Sequence, residues 1–408
     1  MRKIIILTML SIFTMLIAAC GSPAAPETTE ESSEAATPAE AKEPAEGEEA
    51  AEAEEPAEAE DVADSTTPPE DPIDVTIAVG TYVLNANYYW LMMPQALGYW
   101  EDMGYNVTVE GVGSSTDVLQ QIVGGNADMG QMGASVVVQA NVKEDIPMRI
   151  VHETGIVDWQ LAVPADSDIQ EPADFTGKTI GVFNMTSSGI PLLESYLREN
   201  GVDVQSDANM IAIGFGPQAS EALNSGDADA VMLWGAAIAQ LENLGHEFRY
   251  FRSDQWDQMP DFSLAVAQDY FDENRQVVVD VVKGMNMAIV FAGESPECVV
   301  KLQWENWPDT KPTDVDQGTA QAWDMHIVSS HYDVAAQGAY QLHGSDLWGQ
   351  ATVEEFDLMQ NFLVENNLLE STIDPSTFII NDSSFWDEIN DFDVEAIKKQ
   401  AQEMDCSN

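Results

Sequence analysis

The chain carries one local pattern twice. Gly111-Val112-Gly113, a helix-like run and Asn126-Ala127-Asp128-Met129-Gly130 are echoed by Gly214-Phe215-Gly216, a second helix-like run and Asp227-Ala228-Asp229-Ala230-Val231. The gap between the paired segments differs by two residues, so each copy reads as a βαβ crossover, not as a rung of a solenoid. A chain that uses one crossover design twice is expected to fold into two lobes of similar build.

The surrounding elements alternate accordingly. Val75 to Val79 is a β-branched run ending at Gly80, and Tyr89 to Trp100 has helical apolar spacing stopped near Gly98. Asn106 to Glu110 reads as strand, Ser114 to Asp117 as a helix start, Val118 to Val123 as helix and Gly124-Gly125 as its stop. Trp159 to Val163 reads as a strand before a polar crossing, and Thr179 to Phe183 as the first strand of the second lobe, followed by a helix opened by Pro191. Phe262 to Ala267 is a strand returning to the first lobe, ahead of a helix from about Asp272 to Gly293 and a Trp-rich helical tail. The expected class is α/β: two lobes, each a mostly parallel sheet flanked by helices, with a helical C-terminal extension. The expected divisions are lobe I at 72–164, lobe II at 165–258, and 259–408 for the return to lobe I and the tail.

The first 71 residues contribute no core. Arg2 and Lys3 precede an apolar run from Ile4 to Ile17, too short to span a membrane comfortably, and Leu16-Ile17-Ala18-Ala19-Cys20 resembles the end of a bacterial lipoprotein signal peptide. That resemblance implies cleavage after residue 19, lipidation of Cys20 and a protein tethered to the outer face of the cell membrane. From Gly21 to about Asp71 the chain is almost wholly Ala, Glu, Pro, Ser and Thr, with Lys42 its only base, so it is expected to be a disordered acidic stalk. Its contour would reach on the order of 170 Å. Acidic residues outnumber basic ones by 71 to 15 over the chain, for a net charge of −56, which argues against nucleic acid and anionic lipid as partners.

Other chemistries find little support. Thr176-Gly177-Lys178-Thr179 looks like the end of a phosphate loop, but Pro172 stands where its first Gly belongs and a β-rich run follows it. Asp314-Val315-Asp316-Gln317-Gly318 lacks EF-hand spacing. Beyond Cys20 there are only Cys298 and Cys406, with no CxxC pair, so no metal site and no cofactor is expected; whether these two cysteines pair is left open by the sequence. The histidines 152, 246, 326, 331 and 343 are scattered, and only His152, just before the crossing strand, is placed to touch a ligand.

Three loops following parallel strands are expected to converge where the lobes meet. The first brings Tyr82, Asn87 and Tyr88, the second Ser114 and Ser115, the third Asn184, Thr186 and Ser187; Trp159 and Trp234 add aromatic faces. Tyrosine and tryptophan stack on planar ligands, and helix N-termini accept an acidic group without a cationic side chain. Core packing and N-capping are competing roles for the same residues.

Several of these segments together resemble the solute-binding proteins of ABC importers, in the group that includes aliphatic sulfonate, nitrate or taurine binders and thiamine-pyrimidine-precursor binders. They are Met93 to Trp100 with Gly104 to Val107, Leu119 to Gly130, Asp174 to Val182 and Ala222 to Trp234. The tail, Phe362-Leu363 to Leu368-Leu369 with Ile373-Asp374-Pro375 and Phe378-Ile379, is more similar to the pyrimidine-precursor branch. The resemblance implies a type II periplasmic-binding fold, a monomer that closes on a small ligand and docks on a permease driven by a separate ATPase, and no catalytic residues. Ligand contacts carried over with it are Asn87, Tyr88, Ser114, Ser115, Asn184, Thr186, Ser187 and Trp234. None of these loops contains Arg or Lys, which argues against nitrate. A heteroaromatic nutrient such as a pyrimidine precursor or a riboflavin-like compound is expected first, a sulfonate or taurine second. A tethered sensor and a pyrimidine-synthase-like enzyme are the remaining readings, the latter disfavoured by the absence of a Cys-rich segment and of a lysine in the loops.

Overall fold

The computed structural model describes residues 71–406 except 314, 337–339, 341–342 and 345–346. Cys20, the signal-like segment and the acidic stalk lie outside the described residues.

The first sheet is built from β1 (Ile73–Val79), β2 (Tyr105–Gly111), β3 (Met129–Gly133) and β4 (Met148–Glu153). Between these strands lie the helices α1 (Tyr89–Ala96), α2 (Tyr99–Asp102), α3 (Ser115–Val123) and α4 (Ala134–Lys143). Gly98 separates α1 from α2 at φ 78°, a left-handed conformation that glycine adopts without a Cβ clash. Every residue of β3 is buried, as suits a central strand covered on both faces.

The second sheet comprises β5 (Trp159–Pro164), β6 (Thr179–Val182), β7 (Asn209–Ala212), β8 (Ala230–Trp234) and β9 (Phe248–Phe251), with helices α5 (Gly189–Glu199), α6 (Val204–Asp207), α7 (Pro217–Ser225) and α8 (Gly235–Asn243). The chain then returns as β10 (Phe262–Ala267), which inserts into the first sheet. The strand orders are β2-β1-β3-β10-β4 and β7-β6-β8-β5-β9. In each sheet the strand that has crossed from the other lobe runs antiparallel to its neighbours while the remaining pairings are parallel. The repeated crossover is thus one sheet design used twice.

Two details differ from the sequence reading. β5 pairs with β8 and β9, so Trp159 to Pro164 belong to the second sheet instead of ending the first lobe. Helix α5 begins at Gly189, two residues before Pro191. The crossings lie side by side: Ile156 bridges Pro260, the Asp261 N–H donates to Gly155 O at 3.0 Å, and the Val157 N–H to Met259 O at 3.0 Å.

The tail is helical: α9 (Gln268–Glu294), α10 (Pro296–Asn306), α11 (Gln317–His331), α12 (Val353–Glu365), α13 (Ser383–Glu388) and α14 (Val394–Glu403). α9 is long and apolar enough to cross a bilayer, but most of its apolar face is buried inside the protein. The acidic run near 316 serves as a cap: Asp316 Oδ1 accepts the N–H groups of Gly318 and Thr319 at the start of α11. α11 also reaches the second lobe, where Asn243 of α8 bonds Trp323 O at 3.0 Å and lies 3.0 Å from His326 Nδ1. Cys298 and Cys406 form a disulfide with Cα atoms 5.1 Å apart, closing the question the sequence left open and pinning the chain end beside α10.

Candidate functional site

The C-terminal ends of β1 and β6 and the N-termini of α3 and α5 face one another across the seam between the sheets. Here the chain gathers a pocket. From the first lobe come Gly80, Tyr88, Ser114 and Ser115; from the second come Asn184, Thr186, Ser187 and Ser188. Trp159, Trp234, Phe183 and Phe262 form aromatic walls. The Trp159 and Trp234 rings meet edge to face at 5.8 Å, and Phe183 packs on Trp234 at 5.4 Å. The free space at the centre is about 20 Å³, room for about one water, so an organic ligand requires the walls to part.

Eight of the ten residues singled out from sequence line this one pocket: Tyr88, Ser114, Ser115, Trp159, Asn184, Thr186, Ser187 and Trp234. Asn87 lies just behind it, in a smaller recess shared with Tyr88, Trp234 and Gln240. Tyr82 is not brought in; it is 75% exposed and its ring lies over Gly113. The turn from Thr81 to Val83, closed by the Val83 N–H on Thr81 Oγ1 at 3.2 Å, directs it outward. His152 is also elsewhere, fully buried with Nε2 3.0 Å from Asn286 Oδ1 of α9. Its ring follows the face of β4 that packs on α9, and burial lowers its pKa to about 4. Ser188 belongs to the same expected loop as Asn184 and Ser187, whereas Phe183 and Phe262 were not anticipated, because each sits at the end of a strand whose apolar role explained it without a ligand.

Hydrogen bonds sort the polar lining into committed and uncommitted groups. Ser114 Oγ caps α3, accepting the Asp117 N–H at 3.2 Å and donating to Asp117 Oδ2 at 2.6 Å. Ser115 Oγ accepts the Gly133 N–H at 3.0 Å, and Asn184 Oδ1 accepts both the N–H and hydroxyl of Thr186 at 2.9 Å. By contrast Ser187 Oγ, Trp159 Nε1 and Asn87 Oδ1 are buried without a hydrogen-bond partner. Unmade bonds of this kind cost about 1–3 kcal/mol each, which a ligand's polar groups can recover.

The electrostatics around the pocket are acidic. No Arg or Lys is among the lining residues. Asp158, adjacent to Trp159, is buried and its carboxyl is pushed up to about 6, chiefly by desolvation; the Arg252 guanidinium and the Gly235 N–H oppose the shift. Asp261 is raised further by burial and by Asp158 beside it. Arg252 is itself engaged, donating to Trp159 O at 2.8 Å, to the Val157 carbonyl and to Asp257 Oδ1 at 2.6 Å. Burial raises the Tyr88 phenol well above its ordinary range, so Tyr88 stays a neutral donor and acceptor.

The family model described as NMT1/THI5 like matches residues 85–298, or 214 of 408 residues. No curated protein matches the chain significantly. Among solved structures, the periplasmic aliphatic sulphonate binding protein SsuA from Escherichia coli superposes with a TM-score of 0.54 at 17% identity, covering 76% of this chain and 92% of that one. The alkanesulfonate-binding protein SsuA from Xanthomonas axonopodis pv. citri, bound to MOPS, gives 0.53 at 15% identity, over 76% and 98%. A ligand binding component of an ABC-type import system from Staphylococcus aureus, with zinc bound, gives 0.56 at 11% identity, over 78% and 99%. At such identities the likeness establishes architecture. With two sheets of like strand order and the family match over half its length, the chain belongs to the NMT1/THI5 like family and has the periplasmic binding protein fold.

Proposed function

We propose that this protein is the extracytoplasmic solute-binding component of an ABC importer, working as a monomer that captures a small ring-containing nutrient between its lobes and hands it to a permease. The observation that carries the reading is the aromatic-walled pocket at the seam of two like-built lobes, whose unpaired polar groups, Ser187 Oγ, Trp159 Nε1 and Asn87 Oδ1, suit a neutral heterocycle. A pyrimidine precursor or a riboflavin-like compound has that chemistry. The buried acids Asp158 and Asp261 and the lack of a lining cation disfavour a strongly anionic ligand. The ligand is held best when both lobes touch it, so its binding energy favours closure.

Tethering through Cys20 to the outer face of the membrane, with the acidic segment as a spacer, rests on the sequence alone. The Cys298–Cys406 disulfide agrees with an oxidising compartment. A second reading, sulfonate or taurine capture, is supported by Ser115 at the first position of α3 lining the pocket, where the helix dipole favours an acidic group, and by the sulfonate-binding neighbours.

A thermal-shift screen of nutrients separates the two. A ligand at 100 times its Kd adds about 2.7 kcal/mol of stability. Heterocycles are expected to raise the melting temperature; a response to taurine or alkanesulfonates with none from heterocycles reverses the assignment, and turnover of any compound overturns a binding role.

A further inference from the structure

Glu153 ends β4 where the chain leaves the first sheet for the second. It is 2% exposed, and neither of its carboxylate oxygens has a hydrogen-bond partner. A bare buried carboxylate is among the costliest groups a fold can hold, so its surroundings should explain it. They consist of a histidine and a second carboxylate. His343 Nε2 lies 3.9 Å from Glu153 Oε2 and 2.5 Å from Glu355 Oε1, and one potential ligand atom from each of the three residues falls within 4.8 Å of the others. The three side chains are 0%, 4% and 5% exposed for Glu153, His343 and Glu355.

The three come from segments far apart in sequence, and each is held in place. Glu355 stands in the first turn of α12, where its Oε2 accepts the Thr352 N–H at 3.0 Å and the Thr352 hydroxyl at 2.6 Å, leaving Oε1 turned to His343. The Glu153 N–H donates to Gly349 O at 2.8 Å, which docks the segment after His343 on the end of β4. A side chain at Gly349 would collide with the His152 ring, so that close docking requires glycine. Among the described residues no Lys or Arg pairs with Glu153 or Glu355. Two carboxyl groups therefore share one imidazole, and with both ionised even a protonated ring would leave a buried negative charge uncompensated. Burial, with Glu355 and Asp261 nearby, holds the Glu153 carboxyl well above the usual range.

We propose that Glu153, His343 and Glu355 form a binding site for one divalent transition-metal ion of the zinc class, tying the C-terminal helices to the crossing between the lobes. One imidazole nitrogen with two carboxylate oxygens is a zinc donor set that leaves a fourth position for water. Magnesium and calcium call for more oxygens than the cluster offers. The ion balances the two carboxylates with a neutral imidazole, and binding displaces the protons the three ligands carry, that of Glu153 included. None of the three residues lines the pocket at the seam, so the site is structural and separate from ligand capture.

The test uses the full chain, purified without a histidine tag and stripped with chelator, then titrated with Zn²⁺ and separately with Mg²⁺. About one zinc per chain should survive gel filtration, and zinc but not magnesium should raise the melting temperature. Glu153→Gln and His343→Gln should each weaken retained zinc by more than about tenfold, at least the loss seen when outer-shell partners of metal ligands are removed. In chelator Glu153→Gln should melt at or above wild type, because it removes a buried carboxylate while keeping the shape. Zinc held by the acidic N-terminal segment appears equally in all three proteins and cancels. Wild type retaining no more zinc than the variants, or shifting no more on zinc addition, overturns the site and makes Glu153 a protonated carboxyl. Should Glu153→Gln fail to fold, His343→Gln, which keeps a hydrogen-bonding side chain, decides on the same criteria.

Discussion

Gly133 at the end of β3 and Ser188 at the start of α5 approach so closely across the seam that a Cβ on Gly133 would lie 3.1 Å from the Ser188 Cβ. The first lobe's backbone thus touches a side chain of the second, and the Gly133 N–H is fixed on Ser115 Oγ at 3.0 Å. At φ −66° the position itself tolerates any residue. Gly133→Val is therefore expected to leave each lobe folded while wedging them apart. Ligand affinity should fall tenfold or more, about 1.4 kcal/mol, with no contraction on ligand addition in solution scattering. Affinity equal to wild type would mean that the contact does not limit closure.

Removing an uncommitted polar group should affect binding and folding in opposite directions. Ser187→Ala deletes hydroxyl atoms that are buried without partners, so stability should hold or rise slightly. Affinity should drop by about 1 kcal/mol, roughly fivefold, for a ligand whose donors or acceptors meet them. Calorimetric titration beside a thermal melt reads both effects, and a loss of stability with unchanged affinity would assign the Ser187 hydroxyl to packing.

Asp324 on α11 predicts a pH signature. It is 4% exposed, accepts the Trp304 indole N–H at 2.8 Å, and burial pushes its carboxyl up to about 6. The unfolded chain releases this proton near its ordinary pKa of about 3.9, so the group's contribution to stability is complete below that pH and is lost as pH rises through about 6. Asp324→Asn keeps the acceptor and removes the titration. Its stability relative to wild type should improve between pH 4 and 7 by up to about 3 kcal/mol. Melting curves of the two proteins that stay parallel across that range would show that Asp324 ionises as freely in the folded state as in the unfolded one.

The disulfide closes a loop with a sequence separation of 108 residues, for which chain entropy predicts a stabilisation of about 4–5 kcal/mol. Cys298→Ser with Cys406→Ser should lower the melting temperature and loosen α14, seen as faster amide exchange there, while the pocket, to which neither α10 nor α14 contributes a residue, keeps its ligand affinity. Exchange unchanged in α14 would show that packing alone holds the terminus.

How much was legible beforehand depended on the range of the interaction. β1, β2, β5, β6, β10 and α9 were readable because β-branched runs, helical spacing and Gly or Pro boundaries are local signals. β3 was not, since Met129-Gly130-Gln131-Met132-Gly133 has no β-branched residue and becomes a strand only through the neighbours that bury it. The same division runs through the pocket. Loops after parallel strands pointed to Tyr88, Ser114 and Ser187, but Tyr82 was turned away by a three-residue bond pattern and Phe262 entered because β10 comes back from the other lobe.

By itself the sequence determined the two-fold use of one crossover and the loops that supply the pocket's polar lining, both written in short-range patterns of hydrophobicity and turn residues. Tertiary structure alone decided which polar atoms remain unpaired, that Cys298 meets Cys406, and that Glu153, His343 and Glu355 converge. Such meetings join residues up to about two hundred positions apart, and distance in space at that range depends on the packing of whole elements, which no local periodicity encodes.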